Sequence, residues 1–289
     1  MEDVLRSIYQ ERASDDRTLG ILMIEKKLNE SPITDNFDDI LLVVVSEGEQ
    51  PWYVKHYQFK DYTAAMHVVE ESQLLFWIDT SSYRRMVQWV TEGKVIFDRN
   101  EYISQLRSEL ADFPEEKREL RLAIEFAKLT RSYREAKQLF ETENYLDSYN
   151  KVISSLHSLG RLSIIEQGYH PELIVWNQIK RIDPSIYKLY DELLTSTEPL
   201  PERIELMMIA IDFSMSSKVK LGSKHLCGVM GSQEQSWMFG DLKVHPDLTH
   251  YQLDLSMMVD YLVDKQVITV ELAETKGKTV FHRLYRVVD

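Results

Sequence analysis

The sequence lacks the features that mark several protein classes. It has one cysteine, Cys227, in 289 residues, so an internal disulfide framework is excluded. It contains no apolar run of about eighteen residues, the length that predicts a membrane span. Residues 1–6 are acidic and amphipathic, whereas a secretory signal begins with basic residues and continues into an apolar segment. We therefore expect a cytoplasmic protein.

A positive charge balance is also missing. The chain carries 34 Lys and Arg against 47 Asp and Glu, a formal net charge of −13, and each third of it is negative. A general nucleic-acid binder needs a basic surface to neutralise phosphates. The composition therefore favours a small ligand, a nucleotide with its metal, or a protein partner over a nucleic-acid duplex.

Several catalytic motifs are absent. The sequence shows no glycine-rich phosphate loop, no Ser-His-Asp arrangement and no HExxH pair. Cys227 has no second thiol near it, and a zinc site is not expected.

An acidic segment directly before an apolar run is the most informative stretch that is present. Asp35, Asp38 and Asp39 precede residues 40–45, which are all Ile, Leu or Val. Such a run predicts a strand buried on both faces. Carboxylates at its start must reach solvent, a metal or a basic partner, because an unpaired buried charge is very costly. Since Mg²⁺ prefers carboxylate oxygens and substrate phosphates, this segment is a candidate metal and phosphoryl-transfer site.

The apolar patterning predicts an α+β chain of three domains. Residues 1–110 combine a first helix with short strands and form a mixed-sheet domain. Residues 111–200 are helical throughout and form an all-helical bundle domain. Two prolines within 198–201 mark a linker. Residues 201–289 hold helices at 201–214 and 251–264 and then a two-stranded hairpin, the outline of a winged-helix-like domain.

This arrangement resembles the nucleotidyltransferase superfamily in its first third. The features that carry the resemblance are the short strand 20–24, the acidic start of the strand 40–45, and the strand pair within 52–69. The whole chain is similar to a family of bacterial nucleotidyltransferase-like proteins. In that family, a helical substrate-binding domain and a C-terminal winged-helix-like domain follow the core.

The resemblance implies a nucleotide in the cleft between the core and the helical domain. In an active enzyme Asp38 and Asp39 would be catalytic and, with Asp35, would hold Mg²⁺. A nucleoside monophosphate would then pass from a nucleoside triphosphate to a hydroxyl or amine acceptor. A second group consists of the cations expected to contact phosphate: Arg84, Arg85 and Lys94.

The sequence departs from the superfamily pattern at three places. That pattern has a Gly-Ser pair after the first strand, two carboxylates at spacing two on the next strand, and a third carboxylate on a neighbouring strand. Here Glu25 stands where the Gly-Ser pair is expected. The residue two positions before Asp39 is Phe37, and the position of the third carboxylate falls near His67. The alternative is a catalytically inactive nucleotide-binding or protein-interaction scaffold on the same fold.

In that alternative, Asp38 and Asp39 are a solvated strand start, and Asp35 caps a turn. Exposed cations on a helix are usually solvated. Aromatic residues in strands mostly form core contacts or cross-strand pairs rather than stack on a base. This applies here to four residues: Trp52, His56, Tyr57 and Tyr62.

The C-terminal domain is not expected to bind DNA. Its candidate recognition helix lies within 247–264, which carries four aspartates and no Lys or Arg before Lys265. Such a helix repels phosphates. The hairpin has a weak positive patch made of Lys276, Lys278, Arg283 and Arg286. We interpret the domain as a packing module, or as one that contacts a protein partner or a second copy of the chain.

Overall fold

The computed structural model describes residues 2–27, 31–80, 82–111, 113, 115–277 and 279–288. The chain divides into two compact units. Unit 1 is Met1–Pro114 with Tyr169–Ile174, and unit 2 is Glu115–Gly168 with Val175–Asp289. The division into three domains near residues 110 and 200 stays a prediction.

Unit 1 is an α+β unit built on a mixed five-stranded sheet. The sheet order is β3-β4-β2-β1-β5, in which β2 and β4 run parallel and the other neighbours are antiparallel. This confirms the predicted mixed sheet. The elements are α1 (Glu2–Ala13), β1 (Thr18–Glu25), β2 (Asp39–Val45), β3 (Trp52–Phe59), β4 (Tyr62–Glu70), α2 (Glu71–Thr80), α3 (Arg84–Glu92), β5 (Lys94–Asp98) and α4 (Tyr102–Ala111).

Both faces of the central strand β2 are covered. All seven of its residues are buried, as the continuous apolar run predicts. Leu42 and Val44 pack on the face that also holds Trp89 of α3. Leu41, one residue earlier, packs on the opposite face beside Leu5 of α1. Successive strand residues alternate between faces, so β2 belongs to two separate apolar clusters.

Unit 2 is helical and ends in a small sheet of order β6-β8-β7. Its order of a helix, a short strand, two helices and a hairpin is that of a winged helix, which confirms the predicted fold class. The elements are α5 (Glu115–Glu141), α6 (Tyr145–Glu166), α7 (Val175–Ile182), α8 (Pro184–Thr195), α9 (Leu200–Met230), β6 (Trp237–Met238), α10 (Phe239–Val244), α11 (Leu255–Asp264), β7 (Ile268–Glu274) and β8 (Phe281–Val287).

Helix α9 is longer than the sequence predicts. It begins at Leu200, directly after Pro199, and Pro201 lies in its first turn, where proline is tolerated. The predicted end at Ser214 is wrong, because buried positions such as Met215, Val219 and Leu226 continue the helical period to Met230. One 31-residue helix therefore runs from the predicted linker into the winged helix. No helix in the described ranges is both long and apolar enough to cross a membrane.

Candidate functional site

The candidate site lies at the edge of the unit 1 sheet where β1 ends and where β2 and β4 begin. Glu25, the last residue of β1, is directly opposite Asp39, the first residue of β2. Asp39 is in turn level with Ala64 of β4. Residues directly opposite in an antiparallel pair share a face, with Cβ atoms about 4.5–5.5 Å apart. The fold therefore places two carboxylates side by side at this edge.

Asp39 is buried and is held by a tyrosine. Its side chain is only 5% exposed, and the Tyr62 hydroxyl donates a hydrogen bond to its Oδ2. Burial raises the pKa of Asp39 above its ordinary value; the nearby charges of Glu25 and Asp38 act in the same direction, while the Tyr62 hydrogen bond opposes them. Burial and the Asp39 charge also raise the pKa of Tyr62. The hydroxyl therefore stays a donor at neutral pH.

Asp38 makes a different contact. Its Oδ2 accepts hydrogen bonds from the Thr63 backbone N–H, at 2.8 Å, and from the Thr63 hydroxyl, at 3.2 Å. Tyr62 and Thr63 are consecutive residues of β4, and consecutive strand side chains point to opposite faces. Asp38 and Asp39 therefore engage opposite faces of the sheet edge, and each has its own protein donors.

Asp35 lies in the turn that leads into β2. Its φ of 51° and the φ of 69° at Asn36 are left-handed, a region that Asp and Asn tolerate better than most residues. The Thr34 hydroxyl closes the turn by donating to the Phe37 carbonyl at 2.8 Å. Arg85 Nη1 lies 2.6 Å from Asp35 Oδ1 and 2.7 Å from Oδ2. The expected turn exists, but the Thr34 side chain closes it and the Asp35 carboxylate forms an ion pair with Arg85 instead of capping the turn.

These contacts decide whether the three aspartates fit a shared Mg²⁺. A carboxylate-bound Mg²⁺ needs oxygens that converge at about 2.0–2.1 Å on one point. Asp38 and Asp39 face opposite ways, and Asp35 is paired with Arg85. In the described part of the chain, no three His, Cys, Asp or Glu side chains are grouped closely enough to hold a metal. The arrangement does not fit a metal shared by these three residues, and Mg²⁺ binding stays a prediction.

The predicted phosphate-contacting cations lie on two elements of unit 1. Arg84 and Arg85 open α3, with half-buried side chains, and Lys94 opens β5 and is exposed. Arg85 is committed to Asp35, as described above. Lys94 is opposite Met23 of β1, on the same face as Glu25, two residues further along that strand. Their assignment to phosphate stays a prediction.

His67, near the expected third carboxylate, belongs to an aromatic cluster. Its Nδ1 accepts a hydrogen bond from Trp52 Nε1 at 3.2 Å, and its ring packs edge-on against Trp89. Burial lowers the pKa of His67 to about 4, so the imidazole is neutral at physiological pH. Trp52 also packs against Trp77 and Tyr83. These rings fill the space between the sheet and the helices α2 and α3.

Three family models match successive parts of the chain. Residues 1–118 match a family model described as nucleotidyltransferase-like, residues 119–218 a YgxA-like substrate binding domain, and residues 224–287 a helix-turn-helix domain. The chain is 46% identical to the uncharacterized protein YgxA of Bacillus subtilis (strain 168) over 285 residues, which cover 99% of this chain and 97% of YgxA. The chain belongs to the YgxA family of nucleotidyltransferase-like proteins.

A solved structure supports the same family. The crystal structure of a nucleotidyltransferase-like protein from Exiguobacterium sibiricum 255-15 matches with a TM-score of 0.81 and 39% identity, and all of both chains is covered. In this YgxA-family chain, the three family matches follow one another in the predicted order: nucleotidyltransferase-like, substrate-binding and helix-turn-helix.

Sequence reasoning missed Glu25 as a member of the site. The superfamily pattern places the second carboxylate two residues from Asp39 along the same strand. This YgxA-family chain instead presents Glu25 on the neighbouring strand, directly across from Asp39. An acidic residue at the end of the apolar strand 20–24 was a visible signal, but the cross-strand register cannot be read from spacing.

In the helix-turn-helix part of this YgxA-family chain, the helix at the recognition position packs against α5. In the order of a winged helix, α11 is at the position of the recognition helix. Arg131 Nη1 of α5 lies 2.6 Å from Asp254 Oδ1, beside the start of α11. Arg134 of α5 pairs with Asp264 at its end. Between them, Tyr261 packs edge-on against Phe126 of α5, with ring centroids 5.9 Å apart. One side of α11 is therefore fixed to α5.

Proposed function

We propose that this chain binds a nucleotide on its nucleotidyltransferase-like unit and has a degenerate transfer centre. One observation carries this proposal: Asp38 and Asp39 are held by Thr63 and Tyr62 on opposite faces of the sheet edge. Metal-dependent transfer requires carboxylates on one face that share the metal ions. Here the two residues that occupy the motif position act as hydrogen-bond acceptors within the sheet.

Binding without a metal requires protein cations for the phosphates. Arg and Lys side chains meet phosphate oxygens through charge-assisted hydrogen bonds. We assign this role to two cations of unit 1, Arg84 at the start of α3 and Lys94 at the start of β5. The nucleotidyltransferase-like family match over residues 1–118 supports a nucleotide as the ligand class.

Calorimetry with ATP, GTP, CTP and UTP, each with Mg²⁺ and with a chelator, tests the proposal. We expect at least one nucleotide to bind with an affinity that the chelator leaves unchanged. Arg84→Ala combined with Lys94→Ala should weaken that binding about tenfold or more, because two charge-assisted contacts are lost. Lys243→Ala is the matched control, since this exposed lysine lies on α10 in unit 2.

Two outcomes would contradict the proposal. Binding that requires Mg²⁺ would indicate a working metal site. The absence of binding for all four nucleotides would favour a protein-interaction scaffold on the same fold.

Metal-dependent nucleotidyl transfer is the second candidate function. The observation that favours it is the Glu25–Asp39 pair, two carboxylates opposite each other on one face. An active centre would move a nucleoside monophosphate from the triphosphate to a hydroxyl or amine of an acceptor and release pyrophosphate. Mg²⁺-dependent pyrophosphate release that Glu25→Gln abolishes, with folding unchanged, would establish this function over the first.

We also propose that the helix-turn-helix part does not read DNA through α11. Asp254 and Asp264 are paired with α5, and the acidic charge of this helix, to which Asp260 adds, would repel the phosphates of a groove. Of the positive patch on the hairpin, the structure describes Lys276, Arg283 and Arg286, while Lys278 lies outside the described residues. Gel-shift titration of the full chain with duplex DNA is the test. Micromolar or tighter binding at about 150 mM salt would overturn this proposal.

A further inference from the structure

Helix α9 exposes a stripe of large apolar side chains. Leu206 is 55% exposed, Ile209 64% and Phe213 80%. The opposite side of the same helix is buried in unit 2, for example at Met207 and Ile211. Singly scattered apolar residues on a surface are ordinary, whereas a contiguous apolar patch marks an interaction site.

The stripe is continuous along one face of the helix. Steps of three and four residues return to the same side of an α-helix, and Leu206, Ile209 and Phe213 follow those steps. Glu202 lies one turn before Leu206 on this face. Lys220 lies 220 − 202 = 18 residues after Glu202, which is five turns at about 3.6 residues per turn. Both charged residues are exposed.

The charges at the two ends of the stripe are opposite in sign. A stripe with an acid at one end, a base at the other and apolar residues between them is complementary to itself when one copy is reversed. In an antiparallel pair centred on residue 211, Glu202 faces Lys220 of the second copy. In the same register Ile209 faces Phe213, and Leu206 faces the exposed Ser216 of the second copy, because the residue numbers of each facing pair have the same sum. A two-fold axis repeats each contact.

We propose that α9 is a dimerisation surface on which a second copy of this chain docks, antiparallel and two-fold symmetric. The apolar residues Leu206, Ile209 and Phe213 form its centre. Glu202 and Lys220 form an intermolecular ion pair at each end. The polar rim sets the direction and register of the pair, and the apolar centre supplies the affinity.

The dimensions of the surface predict a reversible dimer. The face from Glu202 to Lys220 is about 27 Å long at 1.5 Å per residue, and a helix with its side chains is about 10 Å wide. One such strip is smaller than the roughly 800 Å² that each partner of a stable complex buries. We therefore expect dissociation in the micromolar range, with monomer and dimer exchanging as the concentration changes.

Sedimentation equilibrium of the full chain over about 1–100 µM tests the surface. We expect the wild type to dimerise and Phe213→Asp to raise the dissociation constant at least about tenfold. Phe213 is 80% exposed, so thermal unfolding of the variant should match the wild type. Leu146→Asp is the matched control, because Leu146 is 74% exposed near the start of α6. That variant should dimerise normally.

Charge exchange tests the antiparallel register. Glu202→Lys alone brings lysine against lysine, and Lys220→Glu alone brings glutamate against glutamate, so each variant should self-associate more weakly than the wild type. An equimolar mixture of the two should form heterodimers, because both ends then pair opposite charges. A wild type that stays monomeric, a Phe213→Asp dimer of unchanged affinity, or a mixture no tighter than its components would each overturn the proposal.

Discussion

The hydrogen bond between Tyr62 and Asp39 gives the sharpest test of what this sheet edge does. Tyr62→Phe removes the hydroxyl and leaves the ring in place. Asp39 is 5% exposed, so its carboxylate would lose its donor in a site that water reaches poorly. Leaving a buried acceptor unsatisfied costs about 1–3 kcal/mol. We expect the free energy of unfolding at pH 7, measured in urea, to fall by this amount.

The loss should depend on pH in a predictable direction. The pKa of Asp39 is raised in the folded protein, so the folded state favours the protonated acid. The contribution of Asp39 to the free energy of unfolding therefore decreases as the pH rises past the pKa that this group has in the unfolded chain. Tyr62 opposes that rise by donating to the carboxylate. Without the hydroxyl the folded pKa moves higher. The difference between wild type and variant should thus be small near pH 4 and full at pH 7.

Two further variants isolate the interaction. Asp39→Asn keeps an acceptor and removes the charge, so Tyr62→Phe in that background should show little dependence on pH. Tyr57→Phe is the matched control, because Tyr57 packs against the same apolar cluster from β3. A Tyr62→Phe loss below about 0.5 kcal/mol at pH 7, or one equally large at pH 4, would refute a structural role for this carboxylate.

Other contacts in unit 2 lead to further predictions. A Cβ on Gly222 would lie 2.2 Å from Cγ of Phe126, so Gly222→Ala should lower the unfolding free energy by about 1–3 kcal/mol. Gly228→Ala, with nothing within 4 Å, should leave it unchanged or raise it by up to about 1 kcal/mol. Arg131→Ala removes the partner of Asp254, whose side chain is 9% exposed, and should cost about 1–3 kcal/mol after allowance for the exposure of Arg131. Urea unfolding measures all three, and equal losses for the two glycine variants would contradict the packing argument.

The strands of unit 1 could be predicted well from sequence because burial on both faces leaves a strong pattern. The predicted strand 52–59 matches β3, and 62–69 falls one residue short of β4. The strand β5 was missed because it is short, lies at the sheet edge and follows a helix closely. The helices α2 and α3 are separate, and Tyr83, which lies just before α3, packs into the aromatic cluster.

The candidate site was less predictable than the strands. The apolar run placed Asp38 and Asp39 at the start of a buried strand, and β2 begins at Asp39 with Asp38 directly before it. The expectation of a solvated strand start is wrong for Asp39, which is buried and accepts from the Tyr62 hydroxyl. Their partners come from residues 62 and 63, which are distant in sequence and meet them only through the parallel pairing of β2 and β4. Glu25 enters through the antiparallel pairing of β1. Register between strands is a tertiary property, so no motif search along one segment could have found these contacts.

The acidity of α11 now has a second physical meaning. From sequence it argued only against DNA, since aspartates repel phosphates. In the structure two of these aspartates are partners of Arg131 and Arg134, one helical turn apart on α5. These ion pairs and the contact between the Tyr261 and Phe126 rings hold one side of α11 against α5. The acidic charge of α11 therefore has a structural role besides its repulsion of phosphates, because it fixes this helix to α5.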